Sequence, residues 1–265
     1  LIVAAVTLGG IKRIALVASR VVPGMIVLYL GAALYVIITN AADVPGHLLS
    51  IVQQAFSDSA VTGGVIGVMI IGIRRAAFSN EAGVGTEAMA HGAAKTDEPI
   101  REGLVAMLGP VIDTLLVCTA TAMVIMISGV WQQSDASGIT LTAQAFDKTM
   151  PGYGTYLLMV CVVFFSVSTV FTMGYYGTKC CGFVFGAHRQ HLYNYFYLAM
   201  IVVGAITSLD AVISLIDGMY AMMAIPTMVS ALLLSPKVMA LAKVYFANLA
   251  EEKAAAALAG KGEAS

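Results

Sequence analysis

Charge is what this sequence most lacks. Only 11% of its 265 residues are Asp, Glu, Lys or Arg, against roughly 25% in soluble domains, while 59% are hydrophobic. A soluble domain of this size has no core large enough for so many apolar runs. The net charge of −1 excludes the basic field that a nucleic-acid partner requires. Four cysteines occur, none at metal-ligand spacing with a histidine and none in the pattern of a secreted disulfide framework. Cys118 and Cys161 lie in apolar runs and Cys180 and Cys181 at a polar boundary, where buried small side chains are expected. No G-x-x-x-x-G-K-[ST] loop is present, which argues against an ATP-driven pump. The chain begins at Leu1 within an apolar run, without Met or a basic flank. This start does not read as a signal peptide, and the expectation is the C-terminal part of a longer protein.

What is present in abundance is membrane-spanning hydrophobicity. Spans are expected over residues 1–8 (partial), 21–39, 61 onward (broken), 104–130, 156–177, 192–209 and 212–234, as helices of roughly 20 residues. Basic residues collect at alternate ends of these spans. Lys12, Arg13 and Arg20 precede the second; Arg74, Arg75, Lys95 and Arg101 surround the break in the third. Lys179 and Arg189 follow the fifth, and Lys237, Lys243, Lys253 and Lys261 follow the last. All of the 14 basic residues except Lys148 then fall on one side, which the positive-inside rule makes cytoplasmic. Pro45-Gly46 and Pro151-Gly152 read as external turns and Pro99 as a cytoplasmic one. The loop over residues 132–150 is expected to carry short surface helices. The Ala-rich stretch after Lys237 reads as a solvated tail, helical by propensity and then disordered.

The third span carries the strongest functional signal. Residues 61–94 read VTGGVIGVMIIGIRRAAFSNEAGVGTEAMAHGAA. The apolar run to Ile73 is too short to cross a bilayer, and it meets Arg74-Arg75, then Phe78-Ser79-Asn80-Glu81, then Gly83 and Gly85. Non-helical backbone at membrane depth survives only where protein buries it or it lines a cavity, and a glycine-interrupted span points to a transporter's binding site. The residues alone leave open a short helix followed by a polar cytoplasmic loop. A second cluster, FFSVSTVFTMGYYGT, places Ser166, Ser168, Thr169 and Thr172 inside an apolar span. Its neutral hydroxyl oxygens suit a monovalent hard cation; equally, they satisfy backbone carbonyls or help helices pack. Asp113 is the one carboxylate well inside an apolar span, either a proton or cation site or a partner for neighbouring hydroxyls such as Thr114. Asp217 is expected to anchor the outer end of the last span, and His91 to be a surface residue.

The stretch GIRRAAFSNEAGVGTEAMAHGAA resembles the signature of the sodium:alanine/glycine symporter family. Residues 103–131 are similar to the family's next helix; GGIKRIALVA at residues 9–18 precedes the signature, and STVFTMGYYGTKC, SLDAVISLID, MAIP and LLLSP follow, all in the family's order. The resemblance covers the chain up to its tail. It implies an all-α membrane protein of the LeuT-like inverted-repeat transporter fold. On that fold residues 1–40 would be the last helices of the first repeat, truncated at the N-terminus. Residues 61–236 would be the second five-helix repeat with a broken first helix, and residues 237–265 a cytoplasmic tail. The implied function is sodium-coupled symport of a small neutral amino acid into the cell by alternating access. Na⁺ is then the coupling ion and no other cofactor is expected. The partners would be the amino acid, Na⁺, the lipid bilayer and the preceding helices of the same protein, in a plasma membrane (a bacterial inner membrane) with the C-terminus cytoplasmic.

Residue by residue, the resemblance assigns sodium to Ser168 and Thr169. It assigns the substrate to Phe78, Thr169, Thr172 and Met173. Asn80, Glu81, Gly83 and Asp113 become gating or structural residues. The clearest departure lies on one helix turn, where the family's Trp is replaced by Met173 and its preceding Gly by Thr172; a flexible thioether in place of a rigid wall predicts a roomier pocket. The competing readings are a proton-coupled transporter of the same fold, an intramembrane hydrolase or acyltransferase using Ser79, Glu81 and His91, and a channel. No recognised catalytic motif surrounds the first three residues, and no repeated filter loop supports the last.

Overall fold

A computed structural model of the chain describes residues 10–55 and 65–262. The partial span over residues 1–8 and the opening residues 61–64 of the broken span lie outside the described residues. Among the described residues all regular structure is helical: α1 (Gly10–Thr39), α2 (Val44–Ala55), α3 (Val65–Asn80), α4 (Thr86–His91), α5 (Pro99–Ser128), α6 (Gly138–Thr149), α7 (Gly154–Phe185), α8 (Gln190–Ile206) and α9 (Leu209–Gly262). Four stretches are long and apolar enough to cross a membrane: Ser19–Thr39, Pro99–Ser128, Gly154–Phe185 and Leu209–Ala254. At 17 residues, α8 falls just short of the roughly 20 that a straight crossing needs; α3 has 16 described residues.

Several helix ends differ from the sequence reading, each for a local reason. Helix α1 is already helical from Gly10, the first described residue, and carries Lys12 and Arg13 within it, where a span from residue 21 was expected. Helix α5 starts at Pro99, after an extended Glu98 (φ −112°, ψ 90°), because a first-turn proline loses no intrahelical bond. It ends at Gly129, whose φ of 65° suits a left-handed cap. Within α5, Val111–Cys118 is π-helical directly after Pro110, whose missing N–H interrupts the i→i−4 ladder. Helix α9 does not stop at residue 234 but continues past Pro226 and Pro236. The Leu232 carbonyl that Pro236 cannot serve accepts the Ser235 hydroxyl instead at 2.9 Å. The expected solvated tail is the end of this helix. Its Tyr245, Asn248, Leu249 and Glu252 share one helix face and border a cleft with Glu98 and Arg101.

The core sits where α1, α5, α6 and α7 meet, around Tyr29, Val36, Val124, Phe146 and Cys161. Phe146 is fully buried, with ring centroids of Tyr29 and Phe146, and of Tyr29 and Phe165, 5.9 Å apart. The Tyr29 and Thr121 hydroxyls are hydrogen-bonded. Helix α6, which the sequence placed at the surface, therefore belongs to the core through Thr142, Ala145 and Phe146, an i, i+3, i+4 stripe. The cysteines also differ from expectation: all four are free, but only Cys161 is buried, while Cys118 and Cys180 are exposed.

Small residues set the seam between α7 and α8. A Cβ on Gly174 would come within 2.9 Å of the Tyr197 ring, and one on Gly177 would collide with Tyr193. Close approach through glycine is how membrane helices gain packing contact. Two polar bonds lock the seam: Tyr197 donates to the Val170 carbonyl at 2.7 Å and Thr178 to Asn194 Oδ1 at 3.0 Å.

Candidate functional site

The third span does break, seven residues later than its apolar run implies. Arg74 and Arg75 do not lie in a loop; they fall inside α3, which stays helical to Asn80. The interruption comprises Glu81, Ala82, Gly83, Val84 and Gly85. Glu81 (φ 55°), Gly83 (φ 82°) and Gly85 (φ 97°) all adopt the left-handed conformation. Such a φ is cheap for glycine but unusual for glutamate, and residues held there cluster at functional sites. Helix α4 then resumes for six residues.

Helix α9 lies alongside the break. Arg74 pairs with Asp217, Phe78 faces Tyr220 with ring centroids 5.7 Å apart, and the backbone at Gly83 and Gly85 presses on Met228 and Thr227. Both members of these pairs advance together, so α3 and α9 run parallel. At a rise of about 1.5 Å per residue, Thr227 lies roughly 15 Å beyond Asp217 along α9, so the break meets that helix well inside it, away from its Leu209 end. Arg74 is therefore level with Asp217, in the outer half of a span on the expected topology rather than in a cytoplasmic loop. A cleft of about 500 Å³ between α3 and α9 is bordered by Arg74, Ala77, Val84, Asp217 and Tyr220.

On its other side the break meets the π-helical segment of α5. Ser79 donates to Asp113 Oδ2 at 2.6 Å, and Asn80 Nδ2 to Thr114 Oγ1 at 3.3 Å. Asp113 thus joins two helices through a hydroxyl. A second cleft, of about 410 Å³, is bordered by Asn80, Glu81, Gly83, Glu87, His91 and Tyr176. His91, expected at the surface, is half-buried here and its Nδ1 lies 2.7 Å from Glu102 Oε1. Ser79, Glu81 and His91 do not form a catalytic relay: Ser79 is bonded to Asp113 and His91 to Glu102.

The hydroxyl cluster on α7 turns inward to its own helix. Ser168 and Thr169 both donate to the Phe165 carbonyl at 2.9 Å, and Thr172 donates to the Ser168 carbonyl at 3.0 Å. Among the described residues no hydrogen bond joins these hydroxyls to the break. The link is instead geometric. Thr169, Thr172, Met173 and Tyr176 stand at i, i+3, i+4 and i+7 on one face of α7, and Tyr176 borders the cleft with Glu81. The structure so gathers Phe78, Asn80, Glu81, Gly83 and Asp113 at the break, and sets Ser168, Thr169, Thr172 and Met173 on the helix that faces it. Sequence reasoning missed Tyr176, Tyr220, Ser79 as the partner of Asp113, and Glu87. Only Glu87 left a signal, an acid two residues after the second glycine of the break.

The sequence matches the family described as the sodium:alanine symporter family over residues 1–258. It is 38% identical over 250 residues to the uncharacterized transporter YflA of Bacillus subtilis, covering 92% of this chain and 53% of that protein. It is 39% identical over 246 residues to the sodium/alanine symporter AgcS of Methanococcus maripaludis, covering 91% and 54%. Against the probable sodium/glutamine symporter GlnT of Bacillus subtilis the identity is 34% over 239 residues, covering 89% and 50%. The chain spans about half the length of the curated relatives it matches. These are transporters, not enzymes, and the apolar helices make this a multi-pass membrane protein of all-α architecture. The chain belongs to the sodium:alanine symporter family.

Proposed function

We propose that this chain supplies the second repeat of a LeuT-like transporter that couples sodium entry to uptake of a small neutral amino acid. The preceding helices of the same protein complete the site. The observation that carries this reading is the interruption at residues 81–85, seated against α9 at Thr227 and Met228 and flanked by Phe78, Tyr176 and Tyr220. A helix broken at midplane is where such transporters bind their cargo. An inward membrane potential supplies about 2.3 kcal/mol per charge at 100 mV, which drives accumulation without ATP.

Ser168 and Thr169 are assigned to sodium. Each hydroxyl gives its proton to the Phe165 carbonyl, and a hydroxyl oxygen so engaged keeps lone pairs free to coordinate a cation. Phe78, Thr169, Thr172 and Met173 line the substrate, while Asn80, Glu81, Gly83 and Asp113 hold the break and gate the cytoplasmic side. The protein sits in a bacterial inner membrane with its C-terminus in the cytoplasm. Uptake of labelled alanine by the complete protein in proteoliposomes, with and without a sodium gradient, tests the coupling; a proton gradient that works equally well would replace sodium as the driver.

Met173 sets the width of the pocket. Leucine or glutamine should be taken up within about tenfold of alanine, because a hydrophobic pocket discriminates only modestly among side chains that fit. Met173→Trp should lower leucine uptake about tenfold or more while leaving alanine within about threefold. Strict alanine and glycine selectivity in the unmodified protein would sink this assignment.

A further inference from the structure

Where a helix is interrupted, the backbone amides that follow lose their i→i−4 carbonyls and need other acceptors. Here four consecutive amides, from Ala82 to Gly85, are all satisfied within the segment. Asn80 Oδ1 accepts from Ala82 at 2.9 Å, and the Glu81 carbonyl accepts from Val84 at 3.3 Å. The two carboxylate oxygens of Glu87 take the remaining pair: Oε1 accepts from Gly83 at 3.2 Å and Oε2 from Gly85 at 2.9 Å. Both glycines have positive φ, so their N–H groups converge on one acceptor; bonds to an ionised acceptor are roughly twice as strong as neutral ones.

We propose that Glu87 is a positioning residue of the transport site, an internal anion that fixes the shape of the break. This rests on the transport reading above. Through Gly83 and Gly85 the carboxylate holds the segment that presses on Met228 and Thr227 and that carries Val84, 3% exposed, into the interface. Through the same segment it fixes where α3 ends, and therefore where Phe78 and Asn80 stand. Because Glu87 already occupies these amides, the carboxylate of an amino-acid substrate is left to donors elsewhere in the transporter.

The test uses the full-length protein in proteoliposomes, with Glu87→Ala, Glu87→Asp and Glu87→Gln, and formate as a replacement anion. Glu87→Ala should raise the alanine KM about ten- to a hundredfold, the scale of losing hydrogen bonds to a charged group, with a smaller effect on maximal rate. Formate should recover several-fold of that loss by filling the emptied amides, while Glu87→Asp and Glu87→Gln, which keep an acceptor oxygen, should fall between. An unchanged or lower KM in Glu87→Ala would overturn the proposal, as would a loss that formate does not relieve. A transport-independent readout separates this from the function itself: formate should raise the melting temperature of purified Glu87→Ala and leave the unmodified protein unaffected. If the unmodified protein takes up no amino acid, the transport reading fails and the melting shift still decides whether Glu87 holds the break. Should Glu87→Ala not fold, Glu87→Gln decides by its alanine KM alone: a rise is expected, and an unchanged value would overturn the proposal.

Discussion

Replacing Gly85 with valine is expected to lower uptake by about a hundredfold or more, the scale at which misplacing reacting or binding groups by an ångström acts. Two effects add. Gly85 has φ 97°, a conformation that β-branched residues essentially never adopt and that costs a non-glycine residue about 1–3 kcal/mol. A Cβ there would also stand 2.8 Å from Thr227 Oγ1, and that hydroxyl is held by its bond to the Met223 carbonyl at 2.9 Å. Gly83→Ala is the informative comparison. Its Cβ would meet Met228 at 2.6 Å, but the atom met is the terminal methyl of a flexible side chain, which can turn away. The remaining penalty is mainly the left-handed backbone, about 1–2 kcal/mol, so Gly83→Ala should retain measurable transport. Uptake normalised to reconstituted protein decides the matter: equal, near-normal rates for both variants would mean that the contact between the break and α9 does not matter.

Phe146→Ala is expected to destabilise the protein by about 3 kcal/mol or more, the usual result of emptying a fully buried aromatic site. In a bilayer the apolar transfer contribution is small and packing carries helix association, so the cavity itself dominates the loss. Phe146 is 0% exposed and touches Tyr29, which in turn touches Phe165; its removal loosens α1, α6 and α7 together. In detergent the melting temperature should drop by roughly 6–12 °C, at about 2–4 °C per kcal/mol for a protein of this size. Tyr29→Phe, which removes only the hydroxyl bonded to Thr121, should cost about 1 kcal/mol. A Phe146→Ala melting temperature within about one degree of the unmodified protein would show that α6 is a surface helix after all.

These two residues mark the division between what was legible in the sequence and what was not. The break was legible because Gly83, Gly85 and a run of polar residues have no place inside an ordinary span. Its position was not. An apolar run ends at Ile73, yet the helix continues to Asn80, because Arg74 finds Asp217 on a neighbouring helix, and no local pattern reports a partner so distant in sequence. Phe146 was illegible for a similar reason. Asp147 and Lys148 follow it directly in a segment that reads as a loop, and its burial depends on α1 and α7 closing over it. Pro110 announced a disturbance in α5 but not that the chain would answer with a π-helical turn carrying Asp113 to Ser79. The hydroxyls of Ser168 and Thr169 were legible as a polar group in an apolar helix; that both donate to one carbonyl required the structure.

The measurement that bears most directly on this account is sodium-driven alanine uptake by the complete protein in proteoliposomes, compared with the Ser168→Ala, Thr169→Ala double variant. The account predicts accumulation that requires an inward sodium gradient, and a double variant that folds but needs about tenfold or more sodium for half-maximal uptake, the scale of losing two oxygens that coordinate an ion. Uptake that ignores the sodium gradient, or a double variant with an unchanged sodium requirement, would contradict it.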